Sequence, residues 1–225
     1  MTLASFSCLA IDTASDAPNV AACRGTAVAV RDVDDGGRTE QLYRYVDEVL
    51  AETDLELRGL DCVAVGCGPG SFTGLRVGMA AAQALAFGAE LPVCPVSSLA
   101  VLGFGAARRA GTERVVAALD ARMGEIYAGA YRAGADDAQV LDADCVIAPG
   151  ALVVSGTEPF LAAGPGWAIY PELRSRFASR IAGVDTAARP RATDLLVLAR
   201  AAFARGRVVA PADALPVYLR DRVTG

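Results

Sequence analysis

Two aspartates and one glycine-rich segment are the residues of this 225-residue chain whose types and spacing could do chemistry. Asp12 closes the run Leu9-Ala10-Ile11-Asp12-Thr13-Ala14, and Asp120 closes Ala118-Leu119-Asp120-Ala121-Arg122, about 108 residues later. A strand that delivers a carboxylate into a tight turn is how some two-domain ATPases and small-molecule kinases build a phosphate site. The third candidate is Gly66-Cys67-Gly68-Pro69-Gly70-Ser71-Phe72-Thr73-Gly74, between a strand-like run and a helix-like run. A glycine turn there bares backbone N–H groups beside a helix N-terminus, where α/β proteins bind anions.

Each candidate has a plainer reading. A phosphate-binding Walker loop needs Gly-x-x-x-x-Gly-Lys, and both the spacing and the lysine are missing. Gly66-x-Gly68-x-x-Ser71, with Glu90 about 20 residues on, approaches a dinucleotide fingerprint, but Pro69 removes an N–H from the middle of the nest. Ser71 has Pro69 where a nucleophile elbow needs glycine. The plain alternative is a strand-to-helix turn in which Gly68 and Gly70 relieve backbone strain and Ser71 or Thr73 caps the helix. The Asp loops lack the glycine of Asp-x-Gly-x-Thr; after Asp120 it is delayed to Gly124. Both aspartates can equally be turn caps, so an ATPase or kinase using Asp12 and Asp120 stands as the enzymatic alternative.

The composition removes other mechanisms. The chain has no histidine, and all 21 basic residues are arginine. A Ser-His-Asp triad, a His-rich zinc site and a Schiff-base lysine are therefore excluded. The net charge of −5 argues against unaided nucleic-acid binding. Cysteines 8, 23, 62, 67, 94 and 145 form no Cys-x-x-Cys pair and sit mostly in apolar runs, as reduced core residues would. Met1 to Ser7 carries no basic n-region and no apolar run reaches ~18 residues, so a soluble cytoplasmic protein is expected.

The elements that must position these residues repeat. Ser5–Asp12 reads as a strand, and 20–24 with 26–31 as a hairpin closed near Gly25. Asp34-Asp35-Gly36-Gly37 is a loop, and Thr39 can cap the next helix. On that helix Leu42, Tyr43, Tyr45, Val46, Val49 and Leu50 span an arc of about 160°, wider than one core-facing stripe needs. A strand at 61–67 leads into a helix over 72–87 on which only Arg76 and Gln83 are polar after Gly74. A helix so apolar is either buried on several sides or partly reserved for another subunit. A strand at 92–95, a helix from Ser97 or Ser98, a strand at 114–120 and its return at 125–131 follow. Residues 133–144 read as a loop, Gly164-Pro165-Gly166-Trp167 as a turn, 171–179 and 193–205 as helices, and 215–219 as an extended tail. The arginines at 108, 109, 174, 176, 180, 189 and 191 read as solvated helix faces or ends. Order β-β-β-α-β-α, given twice, predicts an α/β protein of two subdomains, 1–110 and 111–225, each a mixed sheet flanked by helices. The final segment is expected to pack back on the first.

Leu9–Ala14, the glycine segment through Arg76 and Gly78, Ala118–Tyr127 and the ending Pro216-Val217-Tyr218-Leu219-Arg220 together resemble the TsaB family, also called YeaZ. The resemblance covers nearly the whole chain. It departs where the family often has a histidine before the first long helix, because this chain reads Arg38-Thr39. The resemblance implies an actin/Hsp70/sugar-kinase-like fold with a degenerate nucleotide site, no metal and no cofactor. It implies a non-catalytic scaffold that helps make threonylcarbamoyladenosine beside the tRNA anticodon. The implied partners are the catalytic paralogue TsaD directly, TsaE through that pair, a second copy when TsaD is absent, and tRNA only indirectly. Pairing would use the two N-terminal-half helices, with Tyr43, Val46 and Leu50 on the first and Arg76, Met79, Ala80 and Gln83 on the second. Gly68 to Gly74 then serve as the helix launch.

Overall fold

The computed structural model describes residues 6–32 and 41–220. The loop expected at Asp34–Gly37 and the expected cap Thr39 lie outside the described residues. Contacts divide the chain into two units, Met1–Ser98 with Arg191–Pro216, and Leu99–Pro190 with Val217–Gly225. This division differs from the expected one at residue 110. The helix that begins at Ser98 belongs with the second unit, and the chain returns to the first unit at Arg191.

The first unit holds β1 (Ser7–Asp12), β2 (Asn19–Arg24), β3 (Ala27–Asp32), α1 (Leu42–Glu52), β4 (Cys62–Gly66), α2 (Phe72–Ala89) and β5 (Val93–Val96). Its sheet runs β3-β2-β1-β4-β5. The first three strands pair antiparallel, whereas β4 and β5 are parallel to β1. Pleat alternation sorts the side chains. Leu9, Ile11, Val20, Ala22, Val63 and Val65 join one core with Val46, Val49 and Leu50 of α1 and Met79 and Ala82 of α2. The opposite face carries Cys8, Ala10, Ala21, Cys62 and Ala64. Against it packs α6 (Ala192–Ala204), whose Ala199 carbonyl lies 3.9 Å from Cys94 Sγ. Small residues on that face let the helix come close.

The second unit contains α3 (Ser98–Ala110), β6 (Arg114–Arg122), β7 (Glu125–Ala133), β8 (Ala138–Ile147), β9 (Phe160–Ala163), α4 (Gly166–Ile169), α5 (Pro171–Arg176) and β10 (Ile181–Asp185). Its sheet runs β10-β9-β6-β7-β8, antiparallel on the β7 side and parallel on the β9 side. Substituting β6–β10 for β1–β5 in order converts one sheet into the other. The second copy has no helix in the place of α1; a 3-10 turn at Pro149–Ala151 stands there. Its core is aromatic, with Phe160, Trp167 and Phe177 centred 5.9–6.2 Å apart.

Two expectations need correction. Residues 133–144 are not a loop, because β8 occupies most of them. This edge strand is only half-buried and carries Asp142 and Asp144, so its hydrophobic alternation is weak. The arginines at 176 and 180 are not idle helix-end charges. Arg176 donates to the Gly150 carbonyl, and Arg180 Nη1 donates to Val154 O at 3.0 Å while its guanidinium lies 5.3 Å from the centre of the Phe160 ring.

Candidate functional site

The glycine segment is folded down onto the Asp12 turn. Ala14 N–H donates to Asp12 Oδ1 at 3.1 Å, and Ala14 O accepts from Ser71 N–H at 2.8 Å. Thr13 Oγ1 donates to Gly74 O at 2.7 Å. Contact is so close that side chains have no room. A Cβ on Gly70 would lie 2.4 Å from Ala14 O, one on Gly74 would lie 2.0 Å from Thr13 O, and one on Gly78 would lie 2.1 Å from Thr13 Oγ1. A Cβ on Gly66 would meet Asp12 Oδ2 at 2.2 Å. Glycine recurs through this segment because backbone meets backbone there. On the other side, Gly68 N–H donates to Ser98 Oγ at 3.1 Å.

Asp12 itself is wholly buried, and its Oδ2 has no hydrogen-bond partner. Burial raises its carboxyl to about 7, against the lowering pull of the Ala14 N–H bond. Thr13 Oγ1 and Ala14 O are the turn's groups that bond to α2 and to the glycine segment.

Asp120 sits in the equivalent turn of the second unit. Its Oδ1 accepts from Arg122 N–H at 2.9 Å and from Tyr170 Oη at 2.9 Å, and Arg122 Nη1 lies 3.3 Å from Oδ2. A second Gly-Pro-Gly, Gly164-Pro165-Gly166, follows β9 as Gly68-Pro69-Gly70 follows β4. The first glycine of each has a φ that favours glycine, +110° for Gly68 and +103° for Gly164. A Cβ on Gly164 would lie 2.4 Å from Ala118 O. The chain repeats this packing device in both units, and the two Gly-Pro-Gly triplets were its legible sign.

Ser71 launches α2 by accepting from Gly74 N–H through its Oγ at 3.3 Å. The helix turns Leu75, Met79, Ala82 and Ala86 into the core and leaves Phe72, Thr73, Arg76, Ala80, Ala84, Phe87 and Gly88 exposed. Arg76 lies over the Phe72 ring, 3.6 Å from its centre. Phe87, 79% exposed, stands at an open groove of about 690 Å³ shared with Leu91, Pro92, Val209 and Pro211.

The seven side chains expected at a partner surface therefore separate. Arg76 and Ala80 lie on the outward face of α2, and Tyr43 is outward on α1. Val46, Leu50 and Met79 are corrected to core positions; Met79 is 2% exposed. Gln83 is half-buried and donates from Nε2 to Ala214 O at 2.9 Å. Phe72, Ala84 and Phe87 also lie outward on α2 and were not among the seven. The signal was the spacing 72, 76, 80, 84, which holds one helical face.

The cysteines are free thiols, five buried and Cys145 partly so. Burial pushes Cys23 up to about 11 and Cys94 up to about 12, which leaves both unreactive. Among the described residues no cluster of His, Cys, Asp or Glu could hold a metal ion. Among the same residues no helix is long and apolar enough to cross a membrane.

A family model for TsaD, tRNA N6-adenosine threonylcarbamoyltransferase, matches residues 38–224. The tRNA threonylcarbamoyladenosine biosynthesis protein TsaB of Escherichia coli (strain K12) is 37% identical over 223 residues, 96% of this chain and 95% of that protein. The protein of the same name from Haemophilus influenzae is 34% identical over 96% of this chain and 94% of its own length. The structure of YeaZ from Pseudomonas aeruginosa aligns with a TM-score of 0.86 at 34% identity, over 95% of this chain and 100% of that one. With the duplicated sheet and the two Gly-Pro-Gly turns, these relationships place the chain in its family: it belongs to the TsaB family, also called YeaZ.

Proposed function

We propose that this chain is a non-catalytic subunit in tRNA threonylcarbamoyladenosine biosynthesis that binds and activates the catalytic paralogue TsaD. Its site is a surface rather than a pocket, made by the outward face of α2 (Phe72, Arg76, Ala80, Ala84 and Phe87) with Tyr43 on α1. The 1–110 region supplies these helices. TsaE joins through the pair, tRNA is met only indirectly, and a second copy takes the same face when TsaD is absent. No cofactor is needed, and the cytoplasm, where tRNA is modified, is the location.

The observation that carries this reading is the closed Asp12 turn. Ala14 O and Thr13 Oγ1 are bonded to Ser71 and Gly74, and Asp12 is wholly buried. The glycine segment packs directly on the turn where a phosphate would approach, and the chain has no lysine to hold one. The same glycine segment ends in a helix whose outward face, Arg76 and Thr73 apart, is small or aromatic. Such a face costs free energy in water and gains it when covered by another protein.

Co-purification with TsaD tests the surface. Ala80→Arg adds a charge at an exposed position that tolerates a good helix former, so the melting temperature should hold. Affinity for TsaD should fall at least about tenfold. Wild-type affinity in this variant overturns the interface. Met79→Glu is no test, because it would bury a charge in the core. Calorimetry of the isolated chain with Mg-ATP tests the rest. Micromolar binding with turnover would restore the kinase or ATPase reading on Asp12 and Asp120.

A further inference from the structure

Two segments of the second unit, Ala118–Tyr127 and the ending from Val217 to Arg220, meet. The β6–β7 turn carries three consecutive residues in the left-handed region: Arg122 at φ +63°, Met123 at +55° and Gly124 at +76°. Met123-Gly124 is a two-residue hairpin turn that needs positive φ at both positions. Arg122 lies outside that requirement, at the irregularity between Asp120 and Arg122 in the pairing of β6 with β7. Left-handed backbone costs each of Arg122 and Met123 roughly 1 kcal/mol or more. Both side chains are nonetheless presented to solvent, Arg122 84% and Met123 71% exposed. Backbone held so persistently off its preferred region needs external support.

Arg220 supplies it. Its Nη2 donates to Ala121 O at 3.2 Å and to the Glu125 carboxylate, and its Nη1 lies 3.0 Å from Met123 Sδ. One planar guanidinium therefore touches the residue before the left-handed run, a residue in it and the residue after it. A forked, rigid cation suits that task in a way a single ammonium does not. Asp120 holds the turn from within, through Arg122 N–H.

We infer that the C-terminal segment is a strap whose Arg220 locks the β6–β7 turn in its left-handed form, fixing the geometry in which Arg122 and Met123 are presented. Arg220 is a positioning residue. Its loss should free the turn while the sheet stays folded.

Trypsin reads this directly, because the Arg122–Met123 bond is a cleavage site that the enzyme can use only when the turn opens. In the full-length chain, Arg220→Ala should raise cleavage at Arg122 about tenfold over wild type, relative to the mean of the other arginine sites. Glu125→Gln removes the ion pair from the opposite side and should raise cleavage at the same bond by a smaller factor. It also decides the matter if Arg220→Ala fails to fold. Unchanged cleavage at Arg122 in the folded variants, or a rise shared equally by all arginine sites, would overturn the strap.

Discussion

Asp12 and Asp120 stand at the same place in two sheets of the same topology, near the end of the central strand. Each accepts a hydrogen bond from the backbone N–H two residues on. In the first unit the glycine segment seals the turn and one carboxylate oxygen is left buried without a partner. In the second, the turn faces solvent, and Tyr170 and Arg122 satisfy the carboxylate. The cores differ in the same sense. Leucine, valine and alanine fill the first, whereas an aromatic triad around Trp167 fills the second. One scaffold thus gives a closed turn where backbone packs on backbone and an open turn where side chains supply the partners.

The largest expected effect that separates the two turns is one of pH. Asp12 has its carboxyl raised from 3.8 to about 7 on folding, by burial. Below about pH 4 the folded and unfolded chains both hold the proton, and the group contributes nothing. Between about 4 and 7 only the unfolded chain ionises, so stability falls as pH rises; above 7 the penalty is constant. Denaturant titrations of wild type and Asp12→Asn from pH 4 to 8 should show the difference moving by about 4 kcal/mol in the variant's favour. A difference independent of pH would mean that Asp12 is ionised and has a partner.

Next in size is the close approach itself. Gly74→Ala should cost about 3 kcal/mol, because the new Cβ meets a backbone oxygen that cannot turn away. Gly166→Ala, whose Cβ would meet Ala118 at 3.0 Å, should cost less, about 1–2 kcal/mol. Trp167 is the chain's one tryptophan, so its fluorescence reports the second unit. In Gly74→Ala, circular dichroism should lose structure at lower denaturant than Trp167 fluorescence does; coincident curves would show that the units unfold together. The smallest effect belongs to the open turn. Asp120→Asn keeps the acceptor for Arg122 N–H and loses an exposed ion pair, so chemical denaturation should register under about 1 kcal/mol.

Much of this was legible from local pattern. The helix expected over 72–87 is Phe72–Ala89, and that expected over 193–205 is Ala192–Ala204. Both are long, strongly apolar and ended by clear signals. The last three strands were not legible, and β9 has only four residues. β8 and β10 bury one face incompletely, so their residues alternate too weakly to announce a period of two. The outward face of α2 was half legible, since an excess of apolar residues is visible in sequence but its direction is not. Val46, Leu50 and Met79 turn inward and Phe72, Ala84 and Phe87 turn outward according to where the sheet lies.

By itself the sequence determined the β-β-β-α-β-α order of the first half, the strand-end aspartates, a helix launched at Ser71 or Thr73 and the impossibility of histidine or lysine chemistry. These follow from residue type and local spacing. Only the tertiary structure decided what the glycines are for. Their spacing is compatible with a phosphate cradle or with close packing, and the choice depends on a turn more than fifty residues earlier in the chain. It likewise decided that α3 and α6 belong to units other than those their sequence positions suggest, and that Arg220 reaches the turn after Asp120. Each is a contact between segments distant in sequence, fixed by which surfaces bury each other rather than by any local preference.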